Sequence, residues 1–502
     1  MEPWLTPVLD AEQMRSVDAW AIRDQGVPSL ELMETAGRAV ARAAAERAGS
    51  GRVAVVCGKG NNGGDGLVVA RTLAEMGFEV DALLLWRGEE ISGDAAENLG
   101  RFPDARHVEA GELPGALEGA SVVVDAIFGT GFAGAPRDPA ADAIEAINRC
   151  PAAVVATDVA SGVNASSGEV EGSAVRADAT VTFHAPKLGH WIAPGKTHTG
   201  ELEVVPIGIP DDAPAEAGAG LIDPAVLALL PERGAGSTKF SSGQVVIAGG
   251  SRGLTGAVCL AATAAIRAGA GYATVAVPAD LERIFEIKLT EVMSIGCASR
   301  EGRLRRAASE QVLSATERAA AVVLGPGMGR EDGTRDLARE LTGRIAAPLV
   351  LDADGLNAHA GRLDQLAERE GPLVITPHEG ELARILDVDS DRVKARRLDS
   401  AREAARGGTV VLLKGDDTIV TDGERLAINR GGSPALATAG TGDVLSGMIA
   451  AMVARGLEPF AASCAAVLAH SRAGEAAAGR IGAPESVIAG DVIESIPAGL
   501  GP

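Results

Sequence analysis

The stretch Ala439–Gly447 reads AGTGDVLSG, a glycine-rich turn followed by an apolar segment that favours a helix. Free N–H groups at the start of a helix carry partial positive charge, and glycines let the backbone approach a bound phosphate closely. Asp443 is unexpected there, because a carboxylate repels phosphate unless it acts on a proton or a metal ion. We predict that it takes a proton from a hydroxyl group that receives phosphate. The alternative is a helix N-terminal carboxylate that is favoured only by the macrodipole.

On both sides of this turn, apolar β-branched runs alternate with alanine-rich, helix-favouring segments, which is typical of parallel sheets covered by helices. The proline-, glycine- and acid-rich stretch 207–221 is the best linker candidate. We therefore predict two α/β domains, 1–212 and 222–502. The predicted strands are Val53–Cys57, Val122–Asp125 and Ala153–Asp158 in the first half, and Gln244–Gly249, Tyr272–Val277, Ala321–Leu324, Pro348–Asp352, Pro372–Thr376 and Thr409–Leu413 in the second.

In the second half, polar or glycine clusters follow most of the predicted strands. Ligands of open parallel sheets bind at the carboxyl ends of the strands, so we expect these clusters to meet at one edge. Each cluster alone is more often a turn, but five of them together with the turn at Asp443 indicate a site. The five are Gly249–Ser251, Gly325–Gly327, Asp352–Gly355, Thr376–Glu379 and Lys414–Asp417.

Composition excludes several classes of protein. A length of 502 residues predicts two domains, and a net charge of −22 argues against binding to nucleic acid or to an anionic membrane. The five cysteines share no close spacing, which favours reduced thiols and no zinc site. The acidic N-terminus has no export signal pattern, and the apolar runs are too short to cross a bilayer. We expect a cytoplasmic protein that forms a homo-oligomer and acts on small molecules.

The motifs of the second half, in their order and spacing, resemble those of the ADP- or ATP-dependent NAD(P)H-hydrate dehydratase family, which has a ribokinase-like three-layer fold. The resemblance covers about residues 234–502 and implies Mg²⁺ together with ADP or ATP as the phosphoryl donor. It implies a nucleotide site at Lys414, Gly415, Asp416, Asp417, Thr418, Gly440, Thr441 and Gly442. It also implies that Ala257, Gly327, His378 and Asp443 face a damaged nicotinamide, whereas His378 alone could equally be a hydrogen-bonded loop residue.

The chemistry of such a substrate agrees with these residues. Hydrated NADH or NADPH (NADHX or NADPHX) carries a hydroxyl group beside the ring nitrogen, and hydroxide is a poor leaving group. Phosphorylation of the hydroxyl lets the nitrogen lone pair expel phosphate. Asp443 would deprotonate the hydroxyl, and the backbone amides of Gly440–Gly442 would stabilise charge on the transferred phosphoryl group.

In the first half, Val53–Cys57 is followed by the glycine-rich segment Gly58–Gly66, which resembles a Rossmann first turn. With the strand ends Asp125–Gly131 and Asp158–Val163, this half resembles the NAD(P)H-hydrate epimerase family over about residues 10–212. The resemblance implies a Rossmann-like three-layer domain and a K⁺ site at Asn62, Asp125 and Ser161. It implies substrate contacts from Asn61, Asn62, Gly63, Gly64, Asp65, Gly129, Thr130, Gly131, Phe132, Ala133, Gly134, Ala135 and Asp158.

Asp125 and Lys187 are our candidates for the pair that moves protons between the two hydrate epimers, since an acid and a base beside one ring carbon permit reversible loss of the hydroxyl. Each has an alternative: Asp125 could cap a turn, and Lys187 could be a solvated surface lysine. For the whole chain, one alternative function is a small-molecule alcohol kinase fused to a Rossmann-like binding module. Another is a first half that only senses a ligand or binds a partner.

Overall fold

The structure, a computed structural model, describes residues 1–210, 212–214 and 217–501. The chain divides into two compact units, one containing Pro7–Ala219 and the other containing Glu2–Thr6 together with the chain from Gly220 onward. The predicted linker, 207–221, includes residues 211, 215 and 216, which lie outside the described residues, as does residue 502. The division of activities between 1–212 and 222–502 stays a prediction.

The first unit contains a seven-stranded sheet in the order β4-β3-β2-β5-β6-β7-β8, in which all neighbouring strands are parallel. Alternate residues of β2 pack into two different apolar clusters, one on each face, so the sheet is buried on both sides. The first strands of the chain are β1 Leu5–Val8, β2 Val53–Cys57, β3 Val80–Leu84, β4 Arg106–His107, β5 Val122–Ala126, β6 Ala153–Thr157, β7 Ala179–Phe183 and β8 Glu201–Val205.

Helices cover both faces of this sheet. Asp10 caps α1 by accepting hydrogen bonds from the backbone N–H groups of Glu12 and Gln13, which fixes where this helix begins. The helices are α1 Ala11–Arg23, α2 Ser29–Ala48, α3 Asn61–Glu75, α4 Gly93–Arg101, α5 Leu113–Leu117, α6 Ala140–Arg149 and α7 Lys196–Thr199.

Helix α3 begins earlier than the apolar pattern suggests, because it includes the glycine-rich residues from Asn61 to Gly66. A side chain at Gly64 would meet Met33 at 2.8 Å, and one at Gly66 would meet Ala126 at 2.6 Å. The glycines therefore let the first turns of α3 pack directly against the sheet and against α2. Their packing role adds to any role in binding phosphate.

The second unit is built on a larger sheet with the order β1-β9-β20-β19-β18-β17-β16-β15-β10-β11-β12. From β18 to β12 the neighbouring strands pair in parallel, whereas β18–β19 and β19–β20 are antiparallel. The strands are β9 Ala219–Ile222, β10 Gln244–Ala248, β11 Tyr272–Pro278, β12 Met293–Cys297, β13 Ser299–Arg300, β14 Arg303–Leu304, β15 Ala321–Leu324, β16 Leu349–Leu351, β17 Leu373–Ile375, β18 Val410–Leu413, β19 Ile419–Thr421 and β20 Leu426–Ile428. Strands β13 and β14 form a separate two-stranded ribbon.

The apolar core of the second unit packs the sheet against three long helices, α8, α17 and α18. In the described part of the chain, none of the helices combines the length and the apolar character needed to span a membrane. The helices are α8 Thr255–Arg267, α9 Glu282–Lys288, α10 Ser309–Thr316, α11 Asp332–Arg344, α12 Asp354–Asn357, α13 Leu363–Ala367, α14 Glu379–Leu386, α15 Ser390–Ala395, α16 Arg397–Ala404, α17 Thr441–Ala454, α18 Pro459–Ile481 and α19 Ala489–Gly499.

The predicted α/β class is confirmed, and each predicted strand is present within one residue at either end. The five clusters follow β10, β15, β16, β17 and β18, which are consecutive parallel neighbours and therefore end at the same edge. Backbone hydrogen bonds join neighbouring clusters, from Gly250 N to Pro326 O at 2.8 Å and from Lys414 N to Pro377 O at 2.9 Å. The five cysteines are free thiols, as expected.

Candidate functional site

The glycine turn that precedes α17 opens at the carboxyl edge of the second sheet. Gly440 has φ 94°, a left-handed conformation, and a side chain there would meet Leu260 at 2.6 Å. Only glycine satisfies both conditions, so the helix begins directly behind it at Thr441. The Thr441 hydroxyl hydrogen bonds with the carbonyl oxygens of Leu436 and Thr438, at 2.8 and 2.9 Å, which fixes the turn.

Lys414 lies beside this turn, surrounded by carboxylates. Its Nζ atom is 3.3 Å from Asp352 Oδ1 and 3.7 Å from Glu381 Oε2. A Cβ atom added at Gly442 would lie 3.5 Å from Lys414 Nζ, which shows that the lysine is next to the first turn of α17. Burial alone would lower the pKa of Lys414, but the charges of Asp352 and Glu381 outweigh it and keep this pKa above the ordinary value.

Asp443 is half-buried in the first turn of α17. Burial and the charge of Asp352 raise its pKa to about 7, although the charge of Lys414 opposes both effects. A carboxyl group that titrates near neutral pH can both take up and release a proton there. The arrangement is therefore suited to general base catalysis and not only to stabilising a helix end.

The predicted nucleotide segment 414–418 is held by a residue that sequence reasoning missed. Arg397 is 2% exposed and binds Asp417 through two nitrogen atoms, with distances of 2.9 and 2.8 Å to the two carboxylate oxygens. It also donates to Glu379 Oε1 at 2.7 Å and to the carbonyl oxygen of Lys414 at 3.2 Å. The Asp417 carboxylate is thus engaged with Arg397, and its position in the segment is structural. No local motif marks Arg397, since it lies in an ordinary polar helix start.

The other predicted members of this segment differ in their contacts. Asp416 accepts a hydrogen bond from the backbone N–H of Gly432 at 2.9 Å. The Thr418 hydroxyl donates to the Gly415 carbonyl oxygen at 2.7 Å, closing a tight turn. Gly415 and Asp416 are the exposed residues of this turn, whereas Asp417 and Thr418 are buried.

Of the residues expected to face the nicotinamide, Ala257 and Gly327 are neighbours. Gly327 has φ 58°, and a side chain there would meet the Leu254 carbonyl oxygen at 2.4 Å and the Ala257 side chain at 3.2 Å. Its own carbonyl oxygen accepts a hydrogen bond from Ser251 at 2.8 Å. The close approach of these two backbones leaves no room for any residue except glycine.

His378 caps α14 at the same edge. Its Nδ1 atom accepts a hydrogen bond from Gly380 N at 3.0 Å, so the proton of the neutral ring is on Nε2, which lies 3.7 Å from Glu381 Oε2. The imidazole is 54% exposed. His378 therefore forms the loop hydrogen bond that we considered as its alternative role. Because the ring is exposed, it is also accessible to a substrate.

The first unit contains a cavity of about 690 Å³ above the carboxyl edge of its sheet. Its lining includes the N-terminal turns of α3, the segment after β5, Asp158 and Lys187. Predicted substrate residues on this lining are Asn61, Asn62, Asp65, Gly129, Thr130, Gly131, Phe132, Ala133 and Asp158. Gly63, Gly64, Gly134 and Ala135, also predicted, are not lining residues.

Asp125 and Ser161 form one hydrogen-bonded group below this cavity. Asp125 is fully buried, and its two oxygens accept from the backbone N–H and the hydroxyl of Ser161 at 2.8 and 2.6 Å. The backbone N–H of Ile127 donates to the same carboxylate at 3.2 Å. Burial raises the pKa of Asp125 to about 6, although the hydrogen bonds from Ser161 and Ile127 oppose this effect.

Lys187 pairs with Asp158, not with Asp125 as the sequence suggested. Its Nζ atom, in a side chain 1% exposed, lies 2.7 Å from Asp158 Oδ1 and also donates to Thr182 Oγ1 at 2.8 Å and to the Phe183 carbonyl oxygen at 3.0 Å. All three donors of the ammonium group are thereby used. The alternative of a solvated surface lysine does not hold, because Lys187 is buried.

The environment of Asp158 keeps its carboxylate charged. Burial by itself would raise the pKa of Asp158, but the charge and hydrogen bond of Lys187 and the hydrogen bond from the Thr130 hydroxyl hold it at about 2. His190 accepts from Lys187 N through Nδ1 at 3.0 Å, and its Nε2 lies 2.9 Å from the Asp158 carbonyl oxygen. Burial and the charge of Lys187 lower the pKa of His190 to about 4, so this histidine is neutral and supports the pair.

The residues expected to hold potassium present a suitable set of atoms. Asp125 supplies carboxylate oxygens, Ser161 a hydroxyl and Asn62 an amide, and oxygen ligands suit a hard, weakly charged cation. The Asn62 side-chain nitrogen is buried without a hydrogen-bond partner among the described residues, and a turn of the amide would present the oxygen there instead. Within the described ranges, no cluster of three or more histidine, cysteine or acidic side chains has the geometry of a metal site.

Sequence reasoning also missed Asp18, which α1 contributes to the cavity lining. Burial raises its pKa to about 6, Lys187 opposes this effect, and Asp158 adds to it. Asp65 lies in the same electrostatic group, and burial raises its pKa well above the ordinary value. No sequence signal points to Asp18, because it occupies one position of an ordinary amphipathic helix.

Comparisons with known proteins agree with this division of sites. The family model described as NAD(P)H-hydrate dehydratase matches residues 245–498, and the one described as YjeF-related protein N-terminus matches residues 29–189. The bifunctional NAD(P)H-hydrate repair enzyme Nnr of Moorella thermoacetica is 41% identical over 98% of this chain and 96% of its own length. The enzyme of the same name from Salinibacter ruber is 39% identical over 98% and 95%. Among solved structures, an ADP/ATP-dependent NAD(P)H-hydrate dehydratase from Bacillus subtilis, co-crystallised with ATP/Mg²⁺, is 28% identical, covers 55% of this chain and 94% of its own, and gives a TM-score of 0.48.

The two family models fall on the two units, and the relatives are similar along nearly the whole chain. The sequence-based recognition of both halves is thereby confirmed. The chain belongs to the family of bifunctional NAD(P)H-hydrate repair enzymes.

Proposed function

We propose that the second unit dehydrates the S epimer of NADHX or NADPHX at the expense of ADP or ATP, and that the first unit interconverts the R and S epimers. The observation that carries the dehydratase assignment is Asp443, a carboxyl group with a pKa of about 7 in the first turn of a glycine-started helix beside Lys414. The domain ranges proposed for the two activities are 222–502 and 1–212.

Dehydration proceeds by phosphoryl transfer and elimination. The substrate hydroxyl oxygen attacks the terminal phosphorus of the nucleotide while Asp443 takes the hydroxyl proton. The nucleotide leaves one phosphate shorter, and the amides of Gly440–Gly442 stabilise charge on the phosphoryl group in transit. The ring nitrogen lone pair then expels inorganic phosphate, and loss of a proton from the adjacent ring carbon restores the double bond of NADH.

The nucleotide is assigned to the backbone of Lys414–Thr418 and to Gly440–Gly442, and the nicotinamide end to Ala257, Gly327, His378 and Asp443. Arg397 supports this proposal, because it fixes the backbone turn of 414–418 from the buried side. Mg²⁺, which fits a site with few protein oxygens, would neutralise the nucleotide phosphates when bound. Lys414 supplies further positive charge from the protein itself.

Epimerisation in the first unit needs a proton to leave with the hydroxyl as water and to return when water adds to the opposite ring face. We assign proton handling to Lys187 with Asp158, and not to the Asp125–Lys187 pair suggested by the sequence, because Lys187 and Asp158 share a hydrogen bond at the cavity. Asp125 is then left to bind the cation with Ser161 and Asn62. K⁺ would supply positive charge near the leaving hydroxyl.

The test uses the full chain with Asp443→Asn. With S-NADHX and either ADP or ATP, the wild-type chain should restore the absorbance of reduced nicotinamide, and the variant should lose this activity by about 10²- to 10⁴-fold, the contribution expected of a general base. Epimerisation of R-NADHX by the same variant, followed by chromatography, should be unchanged. Asp332→Asn is the matched control, because Asp332 is an exposed carboxylate in the first turn of α11.

Two outcomes would contradict the proposal. If Asp443→Asn behaves like Asp332→Asn, the carboxylate only stabilises its helix. If the wild-type chain consumes nucleotide and leaves phosphate on the alcohol without forming NADH, the alternative of a small-molecule kinase is supported instead. Use of ADP and of ATP in parallel identifies the preferred donor.

A further inference from the structure

Aromatic side chains are concentrated on one wall of the first unit's cavity. Phenylalanine, tryptophan and tyrosine make up 3% of the chain, yet four such residues line this cavity and three of them are in mutual contact. The rings of Phe128 and Phe132 stack with centroids 4.5 Å apart and an angle of 16°. Trp86 extends the wall, with its ring 6.3 Å from that of Phe128. All three side chains are half-buried, so part of the wall is open to a ligand.

A cation lies against this wall. Lys59 is exposed in the turn before α3, and its Nζ atom is 5.6 Å from the centre of the Trp86 ring. Of the described residues that line the cavity, three carry positive charge, namely Arg15, Lys59 and Lys187. The donors of Lys187 are already taken by Asp158 and its neighbours. Lys59 and Arg15 are therefore the two lining cations whose charge remains for a phosphate, and Lys59 lies one residue before Gly60, the N-cap of α3, where no side chain caps the helix.

The strand order determines how the aromatic, cationic and proton-handling residues are arranged along the edge of the sheet. Trp86 follows β3, Lys59 follows β2, Phe128 follows β5, Asp158 follows β6 and Lys187 follows β7, and these five strands are consecutive neighbours. Neighbouring strands are about 4.8 Å apart, so the edge from Trp86 to Lys187 spans about 19 Å. Along the edge, Trp86 thus comes first, then Lys59 and Phe128, and the proton-handling Asp158 and Lys187 come last.

We propose that Trp86, backed by Phe128, stacks on the adenine ring of NADHX or NADPHX, and that Lys59 binds the pyrophosphate. This inference rests on the proposed epimerase function. The order of Trp86, Lys59 and then the Asp158–Lys187 pair along the edge matches the order of groups in the substrate, adenosine, pyrophosphate and hydrated nicotinamide, while Phe128 follows Lys59 along the edge and packs against Trp86 from there. Adenine is planar and aromatic, whereas the hydrated nicotinamide ring has saturated carbons and stacks poorly, so the wall suits the adenine end.

The experiment compares the dinucleotide with a truncated substrate. R-NADHX and the R epimer of the hydrate of reduced nicotinamide mononucleotide, which lacks the adenosine phosphate, are given separately to the full chain, and conversion to the S epimer is followed by chromatography. The variants are Trp86→Ala, Trp86→Phe and Lys59→Gln. Trp20→Ala is the matched control, because Trp20 is a half-buried tryptophan of the same unit that does not line the cavity.

With NADHX, Trp86→Ala should raise KM between about 5-fold and 100-fold, as expected for loss of one stacked base, and leave kcat unchanged. Trp86→Phe, which keeps an aromatic ring, should retain most of the affinity. Lys59→Gln should raise KM for NADHX and reduce its dependence on salt concentration. With the truncated substrate, neither Trp86 variant should change KM.

Equal effects of Trp86→Ala on both substrates, or no effect on NADHX, would overturn the assignment of adenine to this wall. A KM change in Trp20→Ala as large as that in Trp86→Ala would likewise overturn it, since the effect would then be general. Absence of epimerisation by the wild-type chain would refute the proposed function itself, and this inference with it. The truncated substrate separates these cases, because it keeps the hydrated nicotinamide and one phosphate but has no adenine to stack on Trp86.

Discussion

Replacing Lys187 by Met should destabilise the first unit at neutral pH. Methionine keeps the apolar stem but removes the ammonium group that contacts Asp158, Thr182 and Phe183. Lys187 is 1% exposed and Asp158 is 8% exposed, so the remaining carboxylate would be a buried, unpaired charge. Removing one partner of a buried ion pair costs about 3–5 kcal/mol.

The effect of pH follows from the pKa of Asp158. Its value of about 2 in the folded chain lies below the ordinary 3.8, so the carboxylate adds stability above pH 3.8, and this stability is lost as the pH falls through about 2. The contribution is about 2 kcal/mol, since one pKa unit corresponds to about 1.4 kcal/mol. Without Lys187 the main effect that opposes burial is lost, so the pKa of Asp158 rises above its value in the unchanged chain. The variant should therefore be most destabilised at neutral pH, and less so once acid protonates the carboxyl group.

Hydrogen exchange followed by mass spectrometry measures this effect separately for each unit of the full chain. Peptides from Val122–Ala126, in the core of the first sheet, should lose protection by about 100- to 4000-fold at pH 7, the equivalent of 3–5 kcal/mol. Peptides from Val410–Leu413, in the second sheet, should be unchanged and serve as the internal control.

The double variant Lys187→Met with Asp158→Asn completes the test. Neither charge remains in it, so most of the lost protection should return while epimerisation stays absent. Unchanged protection of Val122–Ala126 in the single variant, or a loss that does not diminish in acid, would refute the view that the ion pair stabilises this unit.

Three further outcomes are expected. The kcat/KM for dehydration should rise with pH to a plateau as Asp443 loses its proton near pH 7, and a rate that does not change between pH 5 and 9 would exclude this group as the base. Ser161→Ala should raise the K⁺ concentration needed for half-maximal epimerisation without changing dehydration, as measured by titration with KCl at constant ionic strength. Arg397→Met should raise KM for the nucleotide and speed hydrogen exchange in the 414–418 segment, because Asp417 and Glu379 lose their buried partner.

The sequence predicted the strands and the edges where polar groups meet because both depend on local pattern. A buried parallel strand such as Val53–Cys57 is a continuous apolar run, and the glycines at its end mark the turn. The order of the motifs along the chain then brought the five clusters of the second half to one edge, since consecutive parallel strands end on the same side. The turn at Gly440 was recognisable because few residues tolerate its left-handed conformation.

The partner of Lys187 could not be predicted in the same way. Asp158 lies 29 positions earlier in the chain and adopts φ 66°, which is uncommon for a residue other than glycine and carries no sequence mark. The sequence analysis chose Asp125 because an acid and a base beside one ring carbon permit reversible loss of the hydroxyl, and a sequence gives no distances between side chains. Arg397 and Asp18 were missed for a related reason: each comes from a helix outside the glycine motifs, and only tertiary packing brings it to the site.

Both sites place a lysine among carboxylates in a chain of net charge −22. Lys187 and Lys414 are already engaged by acidic neighbours, so neither offers its full charge to the phosphates of the substrate. Raised pKa values change this balance only in part: Asp443, with a pKa of about 7, is partly protonated at neutral pH, whereas Asp18, with a pKa of about 6, is mostly charged there. Burial raises both values, and it also makes the carboxyl group of Asp443 basic enough to take a proton from an alcohol. At neutral pH the protonated fraction of Asp443 therefore does not repel the phosphates, while the deprotonated fraction takes the proton from the alcohol.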